Sequence, residues 1–440
     1  MASSSDSRTG PAGVRWWLAG CWIAGSLLFL SQLAEIPQRS ALRGYDNTFN
    51  YLWLRSAMVD GDWDFRNDLV ACNTLTAEYR AAALALPVTE TGRIPNKYGV
   101  GWSVVTLPFY AAADAVVATG RLLGLWTLER DGFNPVYQLF IQTGHAGLAI
   151  LALVLAVRVV RGWVGPGATL GVLMTWAASP LLFYQTSNLS MSHGTAFFAV
   201  TLGAYGLQRA GADGGKSFGW LLAGVGFGLA AVTRFQLVVF ALLPGWTLVG
   251  LWRKEPAAAR TALAGLMLGG LPFVCLQLAA WKVTYGHWFV FSYGAEGEGF
   301  NWLHPELGRS LFSSWHGLYY WHPLLLLATV GLFGWMWSQR AFAVPVGLAF
   351  AATWYLNAAW WCWWFASAFG HRAYDAAVLP LMAGMAWLVG RATGRWRIVL
   401  YAVAMLAALW NLRGLILYRT GSISRSEAVT WSQMWSAGLW

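Results

Sequence analysis

Residues 135–157 read PVYQLFIQTGHAGLAILALVLAV, without one Asp, Glu, Lys or Arg, and Arg158 and Arg161 follow at once. A helix crossing a bilayer needs about 20 apolar residues, and a basic flank marks its cytoplasmic end. Working outward, the pattern recurs at 15–33, 164–183, 193–208, 218–232, 236–252, 261–284, 317–338, 341–360, 374–390 and 398–418. The chain is therefore expected to be an all-α polytopic membrane protein. Composition agrees: of 440 residues, 57% are hydrophobic and 11% charged, against roughly 25% charged in a soluble domain. Too few polar side chains are present to clothe a soluble core of this size.

One apolar stretch, 99–120, carries Pro108 and Asp114 and leaves the parity of crossings open. The basic residues resolve it. Arg158, Arg161, Arg209, Lys216, Arg253, Lys254, Arg260, Arg340, Arg391, Arg395 and Arg397 share one face with Arg8 and Arg15 if 99–120 does not fully cross. That stretch is thus expected to be a re-entrant or surface-lying helix on the outer side. About 11 transmembrane helices remain, with the N-terminus cytoplasmic. Thirteen Lys/Arg and three Asp/Glu then lie inside, which leaves sixteen of each elsewhere. The net charge of +10 is an orientation signal, and no nucleic acid is needed to explain it.

The polar lead, Met1 to Gly13, precedes an apolar run with no small-residue cleavage site, which reads as an uncleaved anchor. Cys21, Cys72, Cys275 and Cys362 show no zinc or disulfide spacing. The whole chain, 1–440, reads as one transmembrane domain. Its outer side owns a long first loop, 34–134, with interfacial helices, and a second at 285–316; loops of this length are usually functional.

The outer segments hold the chemistry. Tyr45-Asp46-Asn47 opens an amphipathic stretch, Phe49 to Val59, whose Tyr51, Leu52, Leu54 and Met58 suit a helix lying in the interface plane. Asp46 sits where a carboxylate favours the helix dipole, and where Asp is most often a simple cap. Asp60, Asp62, Asp64 and Asp68 resemble the start of a calcium loop but lack its later Gly and Glu, so they read as a solvated turn. Lys97, just before a helix, can bind a phosphate or merely snorkel. Tyr184 to His193 supplies neutral polar side chains for a hydroxyl-rich ligand, and Arg234 splits the run 218–252. Glu296, His316, Trp363 and His371-Arg372 stand among aromatic residues farther on. Such walls suit sugar faces, although interfacial belts account for many of the 30 Trp.

Taken in order, Tyr45-Asp46, Asn96-Lys97-Tyr98-Gly99-Val100-Gly101, Ser192-His193, Thr233-Arg234, Ser314-Trp315-His316-Gly317 and Gly370-His371-Arg372-Ala373-Tyr374 resemble the GT-C superfamily of polytopic glycosyltransferases. Nearest in look are bacterial relatives of protein O-mannosyltransferases and lipid A aminoarabinose transferases. The resemblance implies an inverting hexosyl- or pentosyltransferase. It would move a sugar from a polyprenyl-phosphate donor to a glycan, lipid or protein acceptor outside the inner membrane. Asp46 would be the catalytic carboxylate, and Lys97, Arg234 and Arg372 would hold the donor phosphate. Tyr45, Tyr98, His193, Glu296, His316, Trp363 and His371 would line the sugar pocket. Asn47 stands where a second acidic residue is frequent, and residues 187–193 contain no carboxylate. A metal-independent mechanism with no firm cofactor is therefore expected, a divalent cation not being required. The rival reading, a polyprenyl-lipid flippase or transporter, predicts internal repeats and buried midplane charges, which the sequence does not display.

Overall fold

The computed structural model describes residues 42–212 and 217–438. An outer layer comes first. It comprises α1, Tyr45–Arg55, continued by a π turn at Ser56–Asp60; α2, Phe65–Ala71; α3, Ala77–Leu84; and α4, Gly101–Leu122. Tyr51, Leu52, Phe65, Leu69, Trp102 and Tyr110 form a core of their own here. Residues Asn47 to Arg55 of α1 are all buried. Its apolar face meets protein, and Met58, 48% exposed, is the outlier. Periodicity shows that a face is apolar but not what covers it. The expected solvated turn also proves partly internal: buried Arg55 pairs with Asp60 at 2.5 Å and with fully buried Asp68 at 2.7 Å.

The bundle follows. Asn134 accepts from Val136 N at 3.0 Å and Pro135 takes the first helical position, which starts α5, Pro135–Val164. Then come α6, Ala168–Ala177; α7, Leu181–Thr186; α8, Ser192–Ala212; and α9, Ser217–Thr233. A 3-10 turn, Phe235–Ala241, leads into α10, Leu242–Lys254, followed by α11, Pro256–Tyr285. Short α12, Leu307–Phe312, and α13, Leu318–Trp321, precede α14, Leu324–Ser338, and α15, Arg340–Ala359. A second 3-10 turn, Arg372–Ala377, opens α16, Val378–Arg391; α17, Gly394–Thr420, and α18, Trp431–Ser436, finish the chain.

Among the described residues, seven helical stretches are long and apolar enough to cross a membrane: Gly101–Leu122, Pro135–Val164, Phe235–Lys254, Pro256–Tyr285, Phe342–Ala359, Arg372–Arg391 and Gly394–Thr420. The protein is an all-helical polytopic membrane protein. Several expected crossings are shorter or broken. Run 164–183 divides at Ser179-Pro180, and run 317–338 at His322-Pro323, because proline gives no N–H to the preceding turn. The expected span 15–33 lies outside the described residues.

Close backbone approach fixes the helix order. A Cβ on Gly226 of α9 would fall 2.1 Å from Gly203 N of α8, a contact that lets two helices meet without bulky side chains. Helices α5, α8, α10 and α16 end, and α11, α15 and α17 begin, at the basic clusters. His193, Arg234 and Arg372 stand at the opposite helix ends. Helix α4 joins that same end. It runs antiparallel to the start of α5, with Thr106 Oγ1 2.9 Å from His145 Nε2 and Tyr137 Oη donating to Asp114 at 2.6 Å. By length and composition α4 qualifies as a span, yet these contacts set it beside the first third of α5.

Replacing Gly226 by Ala forces a methyl against backbone, and overpacking of this kind costs about 1–3 kcal/mol. The thermal midpoint of Gly226→Ala in detergent is expected to fall. Gly245→Ala in α10, where nothing lies within 4 Å of the new carbon, is expected to hold or raise it.

Candidate active site

Although Asp46 occupies the first turn of α1, it does not cap the helix. Its carboxylate is engaged elsewhere. Oδ1 accepts from Tyr98 Oη at 2.6 Å and Oδ2 from Arg372 Nη1 at 3.0 Å. The segment carrying Lys97 and Tyr98 is tied down on every side. Tyr98 N donates to Asn96 Oδ1 at 3.2 Å, Trp53 Nε1 to Tyr98 O at 3.0 Å, Ser292 Oγ to Lys97 O at 2.9 Å, and Val100 N to Gln277 Oε1 at 2.9 Å. Gly101 is needed for the approach: a Cβ there would sit 2.3 Å from Thr233 Oγ1. This contact lays the Lys97 segment against the residue that precedes Arg234.

Lys97 Nζ donates to Glu298 Oε1 at 2.7 Å. The rings of Tyr45, Tyr98 and Tyr293 stand 5.7, 5.8 and 5.7 Å from it, within cation–π range. Arg234 Nη1 is 2.9 Å from each ring nitrogen of buried His193. With its amide oxygen turned inward, Gln236 accepts from Arg234 Nε at 3.1 Å and Nη2 at 3.0 Å. His193 packs on Tyr184 with ring centres 4.4 Å apart, and its Nδ1 lies 3.0 Å from Oδ2 of buried Asp375.

These charges act on one another. Burial alone would push the Asp46 carboxyl up, but Arg372, the Tyr98 hydroxyl, Lys97 and Arg234 together hold it below 3.8, the ordinary aspartate value. The side chain keeps 28% of its surface exposed, so it remains reachable from outside. Burial and the neighbouring Asp46 drive the Tyr98 phenol well above its usual value, and burial takes Tyr293 to about 12 against the pull of Arg234 and Lys97. Both are neutral donors at ordinary pH. A carboxylate with three cations around it is thus the electrostatic centre.

The other residues singled out from sequence are distributed as follows. Tyr45 stacks on Phe49 at 4.4 Å and faces Lys97. Glu296 closes a 3-10 turn, Ser292–Glu296; its side chain lies outside the description. His316, Trp363 and His371 are buried. His371 packs between Phe365 and Tyr374, and Trp363 against Trp315 and Trp364. His316 donates from Nδ1 to Trp364 O at 2.8 Å. Among the described residues, His316, Phe365 and Ala366 are the non-glycine residues with positive φ, at 61°, 57° and 51°, a strained cluster of the kind found beside functional sites. Asn47 donates to Ser190 Oγ at 3.0 Å and Asn188 Oδ1 at 3.4 Å, which fastens the polar loop to α1. Glu298, Tyr293, Gln236 and Asp375 fall within the polar outer stretches of the sequence but carry no assigned role there; their contacts with Lys97, Arg234 and His193 come from the fold.

No family model matches the chain, and no curated protein matches it. Among solved structures it is similar to ArnT from Cupriavidus metallidurans. With the crystal structure bound to undecaprenyl phosphate the identity is 14% and the TM-score 0.49, over 92% of this chain and 70% of that one. With the apo structure they are 14% and 0.46, over 93% and 73%. At this distance the likeness assigns no residue a role.

His316 supplies a test of the wall. Burial pushes its ring down to about 4 from 6.5, so the folded protein disfavours the protonated form. Stability is full above 6.5 and is lost as pH falls through 4. Asparagine tolerates positive φ and does not titrate. His316→Asn is therefore expected to flatten the decline of the thermal midpoint between pH 6.5 and 4.

Proposed function

We propose that the protein is a GT-C-type membrane glycosyltransferase that transfers a sugar, with inversion, from a polyprenyl-phosphate donor to an extracytoplasmic acceptor. The observation that carries this reading is the Asp46–Arg372 pair at 3.0 Å, with the charges of Lys97 and Arg234 bearing on the same carboxylate. Sugar transfer from a lipid phosphate needs cations at the leaving phosphate and a proton acceptor on the far side of the anomeric carbon. The site end of the bundle is read as the outer one because the basic clusters occupy the other end.

In the proposed reaction an acceptor oxygen bonds to the anomeric carbon while the bond from that carbon to the phosphate oxygen breaks. The bonding electron pair leaves with the phosphate, where Lys97, Arg234 and Arg372 balance its charge. The acceptor's proton passes to Asp46. Before donor binds, Asp46 is a weak base because Arg372 and Tyr98 hold it. Phosphate draws Arg372 toward itself, and the carboxylate then becomes more basic when the acceptor is attacked. Tyr45, Tyr98 and His193 are assigned to the sugar pocket.

Purified protein incubated with a panel of polyprenyl-phosphate sugars is expected to release free sugar and lipid phosphate slowly, and faster with an acceptor. Lipid movement without cleavage would mark a flippase instead. Asp46→Asn is expected to lower the rate by about 10²–10⁴ with the protein still folded but its thermal midpoint reduced, because Arg372 loses its carboxylate; full activity in that variant removes Asp46 from the mechanism.

The pH profile gives a second check. Asp46 is ionised above its depressed value and protonates as pH falls through it, so kcat/KM, which reports the free enzyme, should keep its acid limb below 3.8, the ordinary value. The acid limb of kcat, which reports the donor complex, is expected at higher pH. Coincident limbs would contradict the sharing of Arg372.

A further inference from the structure

Lys97, one of the cations assigned to the donor phosphate, already holds an anion. Glu298 Oε1 lies 2.7 Å from its ammonium, and the two side chains are 17% and 11% exposed. The partners differ in what crowds them. The Lys97 carbonyl accepts from Ser292, and its neighbours are pinned by Trp53, Gln277 and the close approach of Gly101 to Thr233. Glu298 instead sits between two glycines. Gly297 has φ 75° and ends the 3-10 turn, and a Cβ on either Gly297 or Gly299 would meet nothing within 4 Å. The main chain here is held, with Glu298 N donating to Tyr293 O at 3.2 Å and Trp361 N to Gly299 O at 3.0 Å, so it is the Glu298 side chain, with open space beside both flanking glycines, that can turn away from the ammonium.

With three tyrosine rings crowded about the ammonium, a phosphate arriving there competes with Glu298 for the same donor. Keeping both would set two negative groups at contact distance in a partly desolvated site, where like charges repel strongly. We infer that Glu298 is a placeholder: its carboxylate occupies the phosphate's position on Lys97 while the site is free and leaves when the donor binds. This rests on the glycosyltransferase reading above. It adds a residue whose effect has the opposite sign to that of a binding group, because Glu298 holds the phosphate seat in a state that does not bind.

The sign makes the test decisive. Glu298→Gln keeps the shape and removes the competing charge. The full-length variant is expected to bind polyprenyl phosphate about fivefold more tightly, with a donor KM lower by the same factor and kcat within about twofold, as for removal of a modest ion pair from the non-binding state. Glu306→Gln makes the same change of charge in the exposed Glu306–Arg309 pair and is expected to leave affinity unchanged, which separates local competition from the general field. Thermal midpoints confirm that each variant is folded. Weaker binding by Glu298→Gln would show an orienting group for Lys97, and unchanged binding a bystander; either result overturns the placeholder while wild-type turnover leaves the glycosyltransferase reading standing. If neither wild type nor Glu298→Gln binds or turns over lipid-phosphate substrates, the functional reading itself fails and the placeholder with it.

Discussion

A single ion pair ties the molecule's working end together. Asp46 and Arg372 are separated by 326 positions in the chain and meet at 3.0 Å. One belongs to the first helix of the outer layer, the other to the turn that opens α16. An arginine leaving a bundle of this polarity is costly unless a carboxylate meets it, and a carboxylate at a helix start would ordinarily serve as a cap. Here it turns away from its own helix to meet the guanidinium. The outer layer, the Lys97 segment and the turn after α9 are arranged around that contact.

The three cations are satisfied in three different ways, and this shapes what each can do. Arg372 has a carboxylate that also accepts from a phenol. Lys97 has the Glu298 carboxylate and three aromatic faces. Arg234 is met by His193 and by the amide of Gln236. Their charges converge on one carboxylate, yet the cost of releasing each differs. The three therefore form a graded site and not a uniform positive patch.

Much of this was legible in the sequence because charge is rare in it. With 11% charged residues, each Arg or Lys at the edge of an apolar run carries information, and the basic ends of α5, α8, α10 and α16 follow directly. Asp46, Lys97, Arg234 and Arg372 stood out for the same reason. What stayed hidden depends on contacts between distant segments. Nothing local tells that Tyr51 and Leu52 meet Trp102 and Phe65 and not lipid, or that Asp68 is buried on Arg55. Glu298 lies in a glycine-rich loop with no periodicity, and its partner is 201 positions away. The breaks at Pro180 and Pro323 were written in the sequence, but a hydropathy run reads straight through them.

The abutment of Gly101 on Thr233 has a mechanical meaning. Because the glycine brings no side chain of its own, the start of α4 rests directly on the Thr233 hydroxyl and main chain, and the two segments have no room to slide past each other. The placing of Arg234, one residue on, is thereby keyed to the seat of the layer that carries Lys97.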